Sequence, residues 1–429
     1  MPRDTSATIA FVESPVQLLN VLEWAHSTRP LLRACPADLV AHKVPDAFGA
    51  GERGAGASSC KAEEGVDAER RQPTTTPQMG VPAPRVPDKI RRTGPNGVPA
   101  QRSGPQDAAA VHDDLTVVVL SPTDPMSRGQ LRRMAELARE EGMRVRWEEA
   151  RGGPTAPLRT IGGLSSLLRR ADRIVIGDPF SRYVQLLLTV ARARDLVVVD
   201  DGTATMEFVA QLGSGERLVR WHRRGSRAGA RDVLFAPFAA SARRRLTPSR
   251  GRTVEVFSAM PVQAPEAVTV TSNTFGWTRA RFGPPRITKG ADMVGTSLVE
   301  TGVVDPDRYL EAVAALARTH GVTRYFAHRR ESPEKLRTLH VRTGLEIVRP
   351  DLPLELIARR GPVGRTILSF PSTVVHTLPP ALAGTDVRLL VCDIDPRWLT
   401  DKASPRAQGF LADVTGSARD AHGLRMVAA

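Results

Sequence analysis

The chain has 429 residues, enough for two domains rather than one, and 41% of them are hydrophobic, an ordinary fraction for globular cores. It holds no apolar run of about 18 residues, and its start, MPRDTSATIAFVES, lacks the pattern of a secretory signal, so neither a spanning helix nor export is expected. The formal net charge is +14, with only six Lys among 60 basic residues, and an Arg excess of this kind favours anionic partners: nucleotides, nucleic acids, lipid head groups or acidic glycans.

The first element is ATIAFVE (7–13), a short apolar run that reads as a buried strand. A helix starts in ESPVQLLNVLEW. Ser14 suits the N-cap, Pro15 the first helical position, and Gln17 completes an S-x-x-Q capping box. Residues 36–112 then change character. They are rich in Gly, Pro and charge and lack apolar periodicity, which predicts a disordered insertion that cannot offset its ordering entropy.

Order is expected to resume at LTVVVLSP (115–122), followed by the helix GQLRRMAELAREEG, the strand MRVRWEE, the helix SSLLRRA and the strand RIVIGDP. The helix SRYVQLLLTVARAR and the strand DLVVVDDGT follow. Strands alternating with helices imply βαβ units and a parallel sheet. Residues 259–288 are irregular and proline-interrupted and read as a linker. A second alternating block runs through ADMVGTSLVE, the Asp305-capped helix DPDRYLEAVAALARTHG, TRYFAHRRE, PEKLRTLHVRTG, LEIVRP, TILSFPS, TVVHTLPPAL and DVRLLVCDI.

The expected class is therefore α/β, with two Rossmann-like domains and a cleft between them. Residues 1–35 and 113–258 would form the first domain, 289–404 the second, and 405–429 a tail.

Three loops follow strands and bear chemistry. Asp200, Asp201 and Gly202 end DLVVVDDGT. Either carboxylate can serve as a general base, although an Asp-Gly turn at a strand end is also common. His328, Arg329, Arg330 and Glu331 follow TRYFA. The histidine and arginines can hold a phosphate, with Glu331 orienting them or capping the next helix; the alternative is a solvated turn with internal ion pairs. In SFPST, Ser372 reads as an N-cap and Thr373 as the first helical residue, an arrangement that serves ordinary capping or anion binding. Gly295, Thr296 and Ser297, after the short strand ADMV, form a weaker fourth candidate lying under a nucleotide. His376 reads as a packed helix residue.

The order DDG, then HRRE preceded by YFA, then SFPST resembles bacterial sialyltransferases and polysialyltransferases of glycosyltransferase families 52 and 38. ESPVQLLNVLEW and GTSLVETGVVDPDRYL are similar to proteins described as the α-2,8-polysialyltransferase family. The resemblance spans most of the chain outside 36–112 and the last stretch. It implies a GT-B type fold and inverting transfer of a sialic-acid-type sugar from a CMP-sugar donor, CMP-sialic acid or a relative, to a glycan hydroxyl. It implies Asp201 as the base with Asp200 as the alternative, His328 contacting or protonating the departing phosphate, and Ser372 and Thr373 binding it. Arg329 departs from the family pattern, which has Pro after the histidine. No cofactor and no metal are expected.

Three other readings remain: a transferase using another activated sugar, a non-catalytic basic protein that binds polyanions, and a degenerate transferase that binds donor without turnover, its first domain disturbed by the Gly/Pro-rich insertion. The arginines read as scattered and aromatic residues are only 5%, which argues against a specific nucleic-acid partner. Cys35, Cys60 and Cys392 fit neither a disulfide framework nor a metal set. A cytoplasmic protein is expected, and the charge permits peripheral contact with the anionic inner face of a membrane.

Overall fold

A computed structural model of the chain describes residues 7–33, 115–151, 153, 156–215, 217–220 and 230–428. The insertion expected at 36–112 lies outside the described residues. Seven strands form the first sheet: β1 (Thr8–Val12), β2 (Leu115–Leu120), β3 (Arg144–Glu148), β4 (Arg173–Ile176), β5 (Asp195–Val199), β6 (Thr253–Ser258) and β7 (Thr269–Ser272). Every pairing is parallel, in the order β3-β2-β1-β4-β5-β6-β7.

The second sheet holds β8 (Ile287–Val294), β9 (Val322–Phe326), β10 (Glu346–Val348), β11 (Val363–Ser369), β12 (Arg388–Cys392) and β13 (Arg425–Val427). It is also wholly parallel, in the order β10-β9-β8-β11-β12-β13. Counted within itself, each sheet has the doubly wound Rossmann order, so the expected α/β architecture with two Rossmann-like halves is present.

Burial explains why these segments are strands. All five residues of β1 are buried. Ile9 and Phe11 join the apolar layer on one face, and Ala10 and Val12 the layer on the other. A parallel strand covered on both sides needs such a continuous apolar run, which is what the sequence shows.

Two stretches differ from their sequence reading. The linker region 259–288 contains β7, the helix Gly276–Phe282 and the first residues of β8. The helix gains its N-terminal partner from a distant part of the same chain: the buried Glu23 carboxylate accepts from Trp277 N and Thr278 N, both at 2.9 Å. The expected tail holds the helix Pro405–His422 and strand β13, which pairs with β12. Its short strand and alanine-rich helix lack a strong periodic signal, and tertiary packing supplies the order.

Both halves belong to one compact unit. Leu352, Leu356 and Ala381 from the second half are buried in the same cluster as Leu18, Trp24, Phe275 and Trp277 from the first. Full burial of a Leu or Phe side chain stabilises by about 1.5–3 kcal/mol. Gln130 Nε2 donates to Pro350 O at 2.7 Å across this junction, and Arg133 pairs with Asp351. Among the described residues, no helix is long and apolar enough to cross a membrane.

Candidate functional site

The DDG loop leaves the carboxyl end of β5, and its two aspartates face different surroundings. Asp200 is 2% exposed, and its carboxylate accepts from Gly202 N at 2.9 Å and Ala259 N at 3.3 Å. Its carbonyl accepts from Asn20 Nδ2 at 2.9 Å. Burial pushes its carboxyl up to about 6 against hydrogen bonds from Thr205, Ser258, Gly202 and Ala259. These partners occupy its oxygens and tie the ends of β5 and β6 together. Asp200 is therefore a framework residue, which corrects its reading as an alternative base.

Asp201 points the other way and keeps 19% of its side chain open. Ser14 Oγ donates to it at a long 3.5 Å, and Arg220 Nη2 lies 3.7 Å away. Burial pushes its carboxyl up to about 7. The nearby Asp178 adds to the rise, while Arg220, Gln17 and Arg329 oppose it.

The HRRE loop leaves β9, and its glutamate turns inward. Glu331 is 3% exposed and accepts from Tyr325 OH at 2.6 Å and His328 N at 2.5 Å. Lys335 Nζ pairs with it at 2.8 Å, lies over the Tyr309 ring at 4.3 Å and donates to Thr296 O at 3.0 Å. Glu331 therefore holds the loop from below and does not face a ligand. The following helix is capped by Ser332, whose Oγ accepts from Lys335 N at 3.1 Å.

Gly295 belongs to the same frame. A Cβ there would lie 2.3 Å from Glu331 Oε2 and 2.6 Å from Tyr325 OH. Thr296 is 6% exposed, with its carbonyl on Lys335. These two residues make room for the frame instead of lining a nucleotide site. Ser297 is half-buried, and only its carbonyl is engaged, by Thr301.

His328 is half-buried, and its Nδ1 accepts from Arg330 N at 3.2 Å. Burial pushes the imidazole down to about 4, helped by Arg329, Arg330 and Lys335. A neutral ring accepting at Nδ1 has its proton on Nε2, which makes it a hydrogen-bond donor. Arg329 and Arg330 are exposed.

The SFPST loop leaves β11. The cap of the helix Val374–Ala381 is Thr373, one residue later than expected, and no side chain caps it. Only the backbone carbonyls of Ser372 and Thr373 are engaged, by Val375 N and His376 N. Both residues are half-buried, so their hydroxyls remain for another partner. His376 is fully buried, with Nε2 3.1 Å from Ser417 Oγ.

The DDG and SFPST loops touch. Gly202 has φ 65° and ψ −124°, a conformation that favours glycine, and a Cβ on it would lie 3.0 Å from Thr373 Cγ2. Arg329, from the remaining loop, acts on both Asp201 and Asp124 of the first half. The DDG and SFPST loops thus meet at the carboxyl edges of the two sheets, where ligands of doubly wound sheets bind, with the largely buried Asp201 carboxyl in one loop and the Ser372 and Thr373 hydroxyls in the other.

Sequence reasoning did not single out Glu13, Gly177, Asp178 or Arg220. Arg220 Nη2 pairs with Asp178 Oδ2 at 2.8 Å, and Glu13 pairs with Arg151 at 2.7 Å. A Cβ on Gly177 would lie 2.2 Å from Gln17 Cγ, so that glycine lets Gln17 reach the site. The signal was the G-D pair after β4, at the point where the strand order reverses.

No protein-family model matches the chain, and no curated protein matches it by sequence. Solved structures do. An α/β-galactoside α-2,3-sialyltransferase from the luminous marine bacterium Photobacterium phosphoreum is 8% identical, with a TM-score of 0.41, over 73% of this chain and 90% of that one. Acinetobacter baumannii MurG is 9% identical, with a TM-score of 0.32, over 73% of this chain and 78% of its own. The E. coli heptosyltransferase WaaC is 12% identical, with a TM-score of 0.31, over 68% of this chain and 84% of its own. All three scores lie below 0.5, and the architecture is defined by the chain's own strand order.

Proposed function

We propose that the chain is an inverting, metal-independent glycosyltransferase that moves a sialic-acid-type sugar from a CMP-sugar to a glycan hydroxyl. The observation behind this reading is the approach of Gly202 to Thr373, which sets the Asp201 loop against two uncapped hydroxyls of the other half. A carboxyl raised to about 7 suits a base that must take a proton near neutral pH.

In the proposed step, Asp201 accepts the acceptor's hydroxyl proton as its oxygen bonds to the anomeric carbon. The bond from that carbon to the phosphate oxygen breaks, and its electron pair leaves with CMP. His328 Nε2–H, the Ser372 and Thr373 hydroxyls and Arg329 meet the charge developing on the phosphate. Neutral His328 serves as a hydrogen-bond donor in this step rather than as a proton source.

The test incubates the protein with CMP-sialic acid, another CMP-ulosonic acid and hexose nucleotides, each with a panel of glycans, and follows donor loss and product anomeric configuration by NMR. Inverted product from a CMP-donor alone is the expected result. Turnover of a hexose nucleotide in place of CMP-sugars would assign a different donor, and no turnover of any donor would overturn the reading.

The pH profile provides a second check. Asp201 must be unprotonated to act, so kcat/KM is expected to rise with pH through an inflection near 7. Arg220 holds that carboxyl down, so Arg220→Gln should move the inflection to higher pH. An inflection that stays in place would remove Arg220 from the electrostatics of the base.

A further inference from the structure

The helix Pro15–Arg33 opens at the carboxyl end of β1, on the edge of the sheet that also carries the DDG loop. The S-x-x-Q box read at its start is present in a shifted form. Ser14 Oγ accepts from Gln17 N at 3.2 Å, and Gln17 Oε1 turns back to accept from Glu13 N at 2.7 Å, one residue before the cap. Both contacts satisfy N–H groups that a helix start leaves free.

The same two side chains have hydrogen-bonding capacity left over, and it points at Asp201. Gln17 is 2% exposed. An amide has one oxygen and one nitrogen, and here the oxygen is committed to Glu13 N. The end that remains is Nε2, which can only donate. The Gln17 side chain hydrogen-bonds Asp201, a contact that favours the charged carboxylate. Ser14 repeats the pattern. Its oxygen accepts from Gln17 N, so its own hydrogen is left to donate, and it reaches Asp201 Oδ1 at 3.5 Å.

Gly177, just after β4, keeps the path open. A Cβ there would lie 2.2 Å from Gln17 Cγ and 2.3 Å from Cδ, so any larger residue would displace the amide.

We propose that this capping box positions the base: Gln17 Nε2 and Ser14 Oγ donate to the Asp201 carboxylate and hold it in the orientation for proton transfer. Both are positioning residues, since they act through Asp201. The inference rests on the proposed role of Asp201 and adds what holds that residue in place. It also gives the first helical turn of the chain a part in the reaction besides ending a helix.

The test isotope-labels the aspartate carboxyls of the full chain for NMR, assigns Asp201 by its loss in Asp201→Asn, and titrates it beside the pH profile of kcat/KM. In Gln17→Met the carboxylate loses a donor. Its titration midpoint, and the kcat/KM inflection with it, should move up by about one unit, and kcat should fall more than the donor KM changes. Ser14→Ala should move the midpoint the same way by less, because its contact is longer. Gly177→Ala leaves both residues of the box in the sequence and should act like Gln17→Met by displacing the amide. These two carry the test if Gln17→Met fails to fold. Asp178, Arg220 and Arg329 also act on Asp201, and none of them is altered in these variants.

Asp305→Ala is the comparison. It removes the cap of the helix Pro306–His320 in the other half, and should lower the melting temperature while leaving the midpoint in place. An unmoved midpoint in Gln17→Met or, where that variant does not fold, in Gly177→Ala would overturn the inference and leave the box as a cap alone. An equal shift in Asp305→Ala would overturn it as well, by tracing the effect to lost stability. Failure of the proposed reaction shows separately, as absent turnover in the parent, and the carboxyl titration still reads whether Gln17 holds Asp201.

Discussion

Asp201→Asn is expected to lower turnover by about 10²- to 10⁴-fold and to leave the melting temperature nearly unchanged. Apart from a hydrogen bond with the Gln17 side chain, its contacts are long, to Ser14 at 3.5 Å and Arg220 at 3.7 Å, so little of the fold depends on it. Its raised value means that the charged form is disfavoured there, and a neutral amide of the same shape removes that cost. Asp200→Asn makes the contrast. Its oxygens accept from Gly202 N and Ala259 N, and an amide nitrogen cannot, so stability should fall by about 1–3 kcal/mol. Melting curves and donor turnover measured on both variants separate the roles. Full activity in Asp201→Asn would remove that residue from the chemistry, and a loss confined to Asp200→Asn would reverse the assignment.

The parallel sheets were legible because a strand covered on both faces must be continuously apolar, as AFV, VVVL, IVI and VVV are. Loops at strand ends were legible for the same reason: polar residues resume where the sheet stops. The direction in which each loop side chain turns was not legible. Glu331 read as orienting His328 and the arginines or capping the next helix, yet burial under Gly295 and pairing with Lys335 turn it inward, and Ser332 is the cap. Asp200 and Asp201 are adjacent and alike in sequence, and although neighbouring side chains leaving a strand point opposite ways, which of the two turns inward has no local signature. The SFPST hydroxyls read as caps, since capping is a local habit of Ser and Thr, whereas the backbone conformation at Thr373 leaves them uncommitted. The segment from Thr203 to Ser258, with two helices and β6, gave no clear period. The first of these helices is nearly all apolar or small, and the second is apolar on both faces at its start. The pairing of Arg220 with Asp178 spans the chain distance between two loops and has no local signature.

Lys335→Met is expected to cost about 3–5 kcal/mol at pH 8, the usual result of breaking a buried ion pair and leaving one charge unpaired. Lys335 Nζ reaches Glu331 at 2.8 Å and Glu300 at 3.3 Å, and Glu331 is 3% exposed. Burial already holds the Glu331 carboxyl above its ordinary value, and Lys335 is the largest influence opposing that rise. Without the ammonium, the folded-state value climbs further above the unfolded one. The penalty is then complete above the folded-state value and fades as pH falls toward the ordinary carboxylate range, where the unfolded chain is protonated as well. The variant should therefore lose less stability at pH 5 than at pH 8. Adding Glu331→Gln should restore part of the loss at pH 8 by removing the stranded charge, though not all of it, because the carboxylate accepts from both Tyr325 OH and His328 N and an amide has one acceptor oxygen. Since His328 N hangs on this carboxylate, Lys335→Met should also weaken the stabilisation by CMP expected of the parent, read as a smaller thermal shift. A variant that melts like the parent at pH 8 would show that the ammonium does not sustain Glu331, and an undiminished CMP shift would separate the buried frame from the phosphate loop above it.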